Sequence, residues 1–254
     1  MNVLNYPLFV FLITFLGLWL AAWLGVQSHK WRPTLEDDDL RTDFSVVQAA
    51  TLTLLGLIIG FSFSMATGRY ELRKNFEATE ASAIGTEYLR ADLLPGDEAS
   101  QVRALLKEYT AQRVRFYRSN DWNAIDKIRA DTAKIQAKLW KTVSATANEQ
   151  ATPIRAMTVT GMNDVLNSEE YTQAAWWNRI PGEAWSMMFA IALFCNWLVG
   201  YGARKVHLKL LMVLPTVVAI AFFLISDIDS PRGGMIQVKP LDLLRLQAGL
   251  ETTR

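Results

Sequence analysis

The sequence predicts an all-α membrane protein: four transmembrane helices in two hairpins, with a helical extramembrane domain inserted between spans 2 and 3. Three observations carry this. Hydrophobic residues make up 51% of the 254-residue chain while charged residues still reach 20%, so the two kinds must be segregated. Long apolar segments lie at about residues 6–26, 44–66, 184–201 and 206–226, the first three without a charge. Each approaches the roughly 20 residues that cross a bilayer as helix. Between the second and third lies a long stretch rich in charge and in helix-period apolar residues.

The first segment has no basic residue before it and exceeds the apolar core of a signal peptide, so it reads as a span. Trp19, Trp23 and Trp31 sit at or near its far end, where amphipathic rings favour the interface. Trp176, Trp177 and Trp185 mark the entry of the third span, and Pro215 predicts a kink in the fourth. The expected divisions are a first hairpin over residues 1–67, a helical domain over 68–181, a second hairpin over 182–228 and a C-terminal tail over 229–254. Orientation does not follow from charge. Lys30, Arg32, Arg41, Arg204, Lys205 and Lys209 on one side are matched by Arg69, Arg73, Lys74, Arg179 and Arg232 on the other.

The middle region reads as a run of helices. Leu72, Phe76, Thr79, Ala83, Thr86 and Leu89 recur at three- and four-residue steps, continuing the second span. Leu94-Pro95-Gly96 ends that helix. A second follows from about Glu98 to Tyr117, with turn and cap residues at Ser119-Asn120-Asp121. A third runs to about Asn148, and a fourth from Pro153 toward Trp177. No alternating β-branched run suggests a sheet.

Chemistry is mostly excluded. The 26 basic and 25 acidic residues are nearly balanced, against a nucleic-acid binder. Cys195 is the single cysteine, so neither an internal disulfide nor a cysteine zinc cluster is possible, and His29 and His207 complete no usual zinc set. Cys195 reads as a packing residue. The acidic run Glu36-Asp37-Asp38-Asp39 lacks the spaced ligands and glycine of a calcium loop. No phosphate-binding glycine loop, nucleophile elbow or zinc-protease motif occurs. No cofactor, no metal and no enzymatic activity are expected.

The second span holds the candidate site. Gly56 and Gly60 form a small-xxx-small pair that lets another helix approach. Thr53, Leu57 and Phe61 recur every four residues on the adjacent stripe. A ring of these side chains from several subunits would make an apolar constriction able to gate ions by dewetting. Spacing alone favours plain helix packing.

Phe61, with Arg69 eight residues later and then Arg73 and Glu77, resembles the bestrophin family of ion channels, whose second span carries the neck and continues as an arginine-rich helix. Asp229-Ser230-Pro231-Arg232-Gly233-Gly234 and Pro240-Leu241-Asp242-Leu243-Leu244 resemble the segment after its last span. The stretch from Glu80 to Arg90 and Leu93-Leu94-Pro95 are similar to an uncharacterised bacterial bestrophin-like family. The resemblance implies a homo-oligomeric channel, most simply a pentamer, in a bacterial inner membrane, with residues 68–181 cytosolic. It implies small inorganic ions as the cargo, small anions first. Thr53, Leu57 and Phe61 would form the neck, and Arg69 and Arg73 would favour anions if they face the lumen; pairing with Glu71 or Glu77 is the alternative. Thr53 departs from an apolar neck, and Arg232 from an aromatic after proline. Asp227 and Asp229 alone remain of the acidic cluster linked to calcium activation. A non-conducting scaffold or stress sensor, whose helical domain binds a protein partner, is the competing function.

Overall fold

The computed structural model describes residues 6–31, 38–149, 152–203 and 208–252. Arg32, Glu36, Asp37, Arg204, Lys205 and His207, all weighed above, lie outside the described residues, as do the side chains of Lys30, Trp31 and Asp38. Among the described residues there are helices and no strand: α1 (Pro7–Trp31), α2 (Asp38–Arg90), a 3-10 turn (Ala91–Leu93), α3 (Gly96–Arg118), α4 (Trp122–Glu149), α5 (Pro153–Trp177), α6 (Gly182–Gly202), α7 (Leu208–Leu211), α8 (Val213–Asp229) and α9 (Leu241–Thr252). Four helical stretches are long and apolar enough to cross a membrane. The expected α-helical class with four spans is what forms. The chain makes two units, one from Met1–Tyr70 and Arg179–Gln237, the other from Glu71–Asn178 and Val238–Arg254.

The first unit holds the apolar spans. Helix α1 packs on α6 and α8. The tight approach between α1 and α6 is made by two glycines not singled out above. A Cβ on Gly25 would collide with the carbonyl oxygen of Trp197, and one on Gly200 with that of Ala22. Small residues bring the two backbones together, which is how helices gain dispersion contact where lipid removes the hydrophobic drive. Ala22, Val26 and Leu211 cluster beside this crossing, and farther along the same helices Val10, Leu18, Leu55, Trp185, Met188, Cys195, Phe222 and Ile225 form a larger buried cluster. Phe222 meets Phe189 and Trp185 edge-to-face, at centroid distances of 5.0 and 5.9 Å.

One local expectation is corrected. Trp185 is buried against Phe222 and Trp176 is buried among Phe116 and Tyr117, so of the three tryptophans placed at the third span's entry only Trp177 is exposed. Pro215 interrupts the fourth span as expected: it has no N–H to donate and its ring would strike the carbonyl of Leu211, so the helix breaks between α7 and α8 while Met212 keeps right-handed helical angles.

The second unit holds the charged helices. In it α3 packs on α4 and α9, and α4 on α5, around buried Val102, Leu106, Tyr109, Ile135, Leu139, Met162 and Val165. The break at Leu94-Pro95-Gly96 falls as read, with Pro95 the N-cap of α3. Pro153 occupies the first turn of α5, and the Thr152 hydroxyl accepts the Arg155 N–H at 3.3 Å.

If the glycine crossing holds the first unit together, Gly200→Val should lower thermal stability by about 1–3 kcal/mol or prevent folding, because backbone cannot yield as a side chain can. Gly56→Ala, where a Cβ meets nothing of this chain within 4 Å, should leave the stability of the isolated chain unchanged. Thermal unfolding in detergent of the two variants beside wild type decides this.

Candidate functional site on helix α2

Helix α2 is 53 residues long and rises about 80 Å, far more than the roughly 30 Å of a bilayer's hydrocarbon core. The part able to cross is therefore the charge-free stretch 44–66, and the charged residues from Arg69 onward lie beyond it. What sets α2 apart is how little its own chain covers it. Its apolar window is 6% buried, against 33% for α1 and 50% for the fourth span. Leu40, Val46, Val47 and Leu54 are exposed as well as the stripe already named.

The covered face is narrow and regular. Leu55, Ser62 and Ala66 turn inward; the Ser62 hydroxyl donates to Met188 Sδ at 2.8 Å and the Cys195 thiol to the Thr51 carbonyl at 3.5 Å. Thr53, Leu57 and Phe61 lie on the outward face, Leu57 53% and Phe61 65% exposed. The Thr53 hydroxyl donates to the Ala49 carbonyl at 2.9 Å, so the one polar member of the stripe is satisfied by its own helix. Among the described residues, Gly56 and Gly60 also face open space.

The two arginines diverge from that stripe. At about 100° per residue, Arg69 is turned about 80° from Phe61 and Arg73 about 120°. Arg69 is accordingly part-buried, its guanidinium 3.8 Å from the Asp229 carboxylate. Arg179 meets the same carboxylate at 3.4 Å, and the Ile180 N–H donates to both of its oxygens at 3.2 Å. Arg73 is 1% exposed and donates to the carbonyls of Ala175 at 3.1 Å and Asn178 at 3.4 Å. These carbonyls end α5, where the helix dipole favours a cation. In the chain Arg73 is thus a buried clamp on a helix terminus.

The acids that sequence reading linked to calcium are committed to backbone. Asp227 accepts the Met235 and Ile236 N–H groups at 2.7 and 2.9 Å, and Gly234 packs so closely that a Cβ there would strike the Asp227 carbonyl. No cluster of three potential metal ligands occurs among the described residues. Glu77 accepts the N–H groups of Asp242 and Leu243 at 3.0 and 2.9 Å and so caps α9; burial lifts its carboxyl to about 6.

Sequence reading missed the polar centre of the second unit. Fully buried Arg113 binds Glu80 through Nε and, at 3.3 Å, through Nη2, and reaches Glu169 at 3.2 Å. The Tyr117 and Thr172 hydroxyls donate to Glu80 at 3.3 and 3.2 Å, and the guanidinium lies 4.6 Å above the Phe116 ring. Burial works against the charge on Arg113, but the pull of Glu80, with Tyr109 and Glu169, outweighs it and holds its pKa above the ordinary value. A signal existed. Tyr109, Val114, Phe116 and Tyr117 surround Arg113 along one helix, and a charge amid apolar neighbours must find a buried partner.

A charged helical unit joined to membrane-length helices, one of them almost bare, defines a multi-pass membrane protein. The model of the Bestrophin-like domain matches residues 12–243, and the chain belongs to that family. Solved structures share the fold. A bacterial bestrophin homologue from Klebsiella pneumoniae superposes with a TM-score of 0.66 at 11% identity, covering 94% of this chain and 96% of that one. A point variant of that homologue gives 0.65 at 13% identity over 95% and 97%. A variant described only as a membrane protein gives 0.62 at 12% identity over 94% and 97%. No curated protein matches the sequence.

Removing Arg113 alone would strand two buried carboxylates. Arg113→Met should destabilise the protein by about 3–5 kcal/mol, whereas adding Glu80→Leu and Glu169→Leu to it should recover most of that loss. Thermal unfolding of the single and triple variants separates a buried ion network from a solvated one, for which the single change would be nearly silent.

Proposed function

We propose that this protein is an oligomeric ion channel whose pore helix is α2, with Thr53, Leu57 and Phe61 forming an apolar neck. The observation that carries the reading is the 6% burial of the α2 apolar window, beside three other spans that cover one another far better. A span left bare by its own chain is covered by lipid or by other copies. Gly56 and Gly60, open within the chain, suit the close approach of a neighbouring helix, and the adjacent stripe then falls toward a shared axis. Rings of leucine and phenylalanine narrow a pore and exclude water without requiring charge.

The assembly in this reading is a homo-pentamer in lipid, by kinship with bestrophins, with residues 68–181 on the cytosolic side of a bacterial inner membrane. Small inorganic anions such as chloride are the proposed cargo. Arg69 supports this sign weakly, because Asp229 already balances it, and Arg73 does not contribute. The scaffold reading, in which the helical unit binds a protein partner, predicts no flux at all.

Flux from liposomes holding purified wild type, Phe61→Ala and Leu57→Ala tests both. The channel reading expects chloride flux in wild type and a several-fold rise in at least one widened neck. No flux from any of the three, across salt gradients and pH, would discard the channel. Flux that is indifferent to both substitutions would keep the channel and remove the neck from this stripe.

A further inference from the structure

Within the second unit, α2 and α5 enclose an open groove of about 650 Å³, walled by Thr79, Ser82, Thr86 and Arg90 on one side and by Gly161 and Asp164 on the other. Behind the wall sits Glu87. Its side chain is fully buried, and neither carboxyl oxygen receives a hydrogen bond. The nearest cation is Arg90, whose Nη1 lies 3.9 Å from Oε2 and whose side chain is 29% exposed. Gly161 makes room for both: a Cβ there would strike the Glu87 carboxyl and the Arg90 guanidinium.

A buried carboxylate without a hydrogen bond is among the least favourable groups a fold can hold, and it escapes by binding a proton. The Glu80 carboxyl seven residues earlier shows the other solution, a buried guanidinium and two hydroxyls. Glu87 has no such set. The charged groups facing it are Arg90 on its own helix and Asp164 on α5, and they oppose each other. Burial pushes the carboxyl up to about 8, Arg90 pulls it down and Asp164 pushes it up.

We propose that Glu87 is a proton-binding site and, with Arg90, a pH-operated latch on the groove between α2 and α5. Protonated, the carboxyl packs beside Gly161 as a neutral group and leaves the guanidinium to the groove. Ionised, it releases its proton to the groove water and draws Arg90 inward, changing both the charge and the width of the opening. The inference is independent of whether the protein conducts.

The sign of the stability effect follows. The folded value lies above the ordinary 4.5, so the folded state is favoured below that value and loses ground as pH rises from there to about 8, with no further change above. Glu87→Gln, permanently neutral and nearly isosteric, should abolish that slope.

Infrared difference spectra of the full-length protein in nanodiscs read the site directly. Wild type should show the carbonyl stretch of a protonated carboxyl at pH 7 that titrates away with a midpoint near 8, and Glu87→Gln should lack it. Arg90→Gln should raise the midpoint and Asp164→Asn lower it, each by roughly one unit. Hydrogen exchange of the α5 segment around Gly161, corrected for intrinsic rate, should change across the same midpoint in wild type and not in Glu87→Gln. A carboxyl band that is absent, that survives Glu87→Gln, or that titrates at ordinary carboxylate values overturns the proton site. Exchange that is pH-independent in wild type, or the same in wild type and Glu87→Gln, overturns the latch.

Discussion

An unbroken helix fixes the direction of every side chain it carries, and α2 runs without a break from Asp38 to Arg90. Most of what distinguishes this molecule follows from that. In the first unit Leu55, Ser62 and Ala66 fall on one buried line of α2, and in the second Arg73, Glu77, Glu80 and Ile84 form a buried line of their own. Thr53, Leu57 and Phe61 fall on another and are left outward. The buried residues of α2 are small and apolar in the first unit and charged, with buried partners, in the second.

The remaining helices make that arrangement possible in two different solvents. Where lipid is the surrounding, α1 and α6 meet through Gly25 and Gly200, and close backbone contact takes the place of hydrophobic drive. Where water is the surrounding, apolar burial is available and is joined to polar anchors. Arg113 ties α2, α3 and α5 together through Glu80 and Glu169, while Glu77 secures α9 by its N-terminus. Each anchor uses a charge whose partner is supplied by a distant part of the chain, which favours one register of the helices over others.

The helical class, the four spans and the breaks near Pro95 and Pro153 were legible in the sequence, because they depend on local rules of apolar length and backbone chemistry. The family resemblance was legible in the α2 and post-α8 motifs for the same reason: they are contiguous. What was not legible needed the partner helix. The regular spacing of Gly56 and Gly60 is visible in the sequence, whereas the crossing of α1 and α6 uses Gly25 and Gly200, single glycines on helices far apart in the chain. Helix geometry alone turns Arg73 about 120° from Phe61, but its seat on the α5 carbonyls needed the partner helix. The Arg113 network was only half available: its burial could be suspected, but its partners could not be named.

The central claim is that the bare face of α2 is turned toward other copies of the chain around an axis. Pulsed electron–electron distance measurement between spin labels on Leu57→Cys, in a Cys195→Ala background in lipid, tests it directly. The account predicts short inter-subunit distances at this position, and longer ones for a label at Leu12, exposed on α1. A Leu57 label that shows no inter-subunit coupling, and relaxes as a lipid-facing site does, would contradict it.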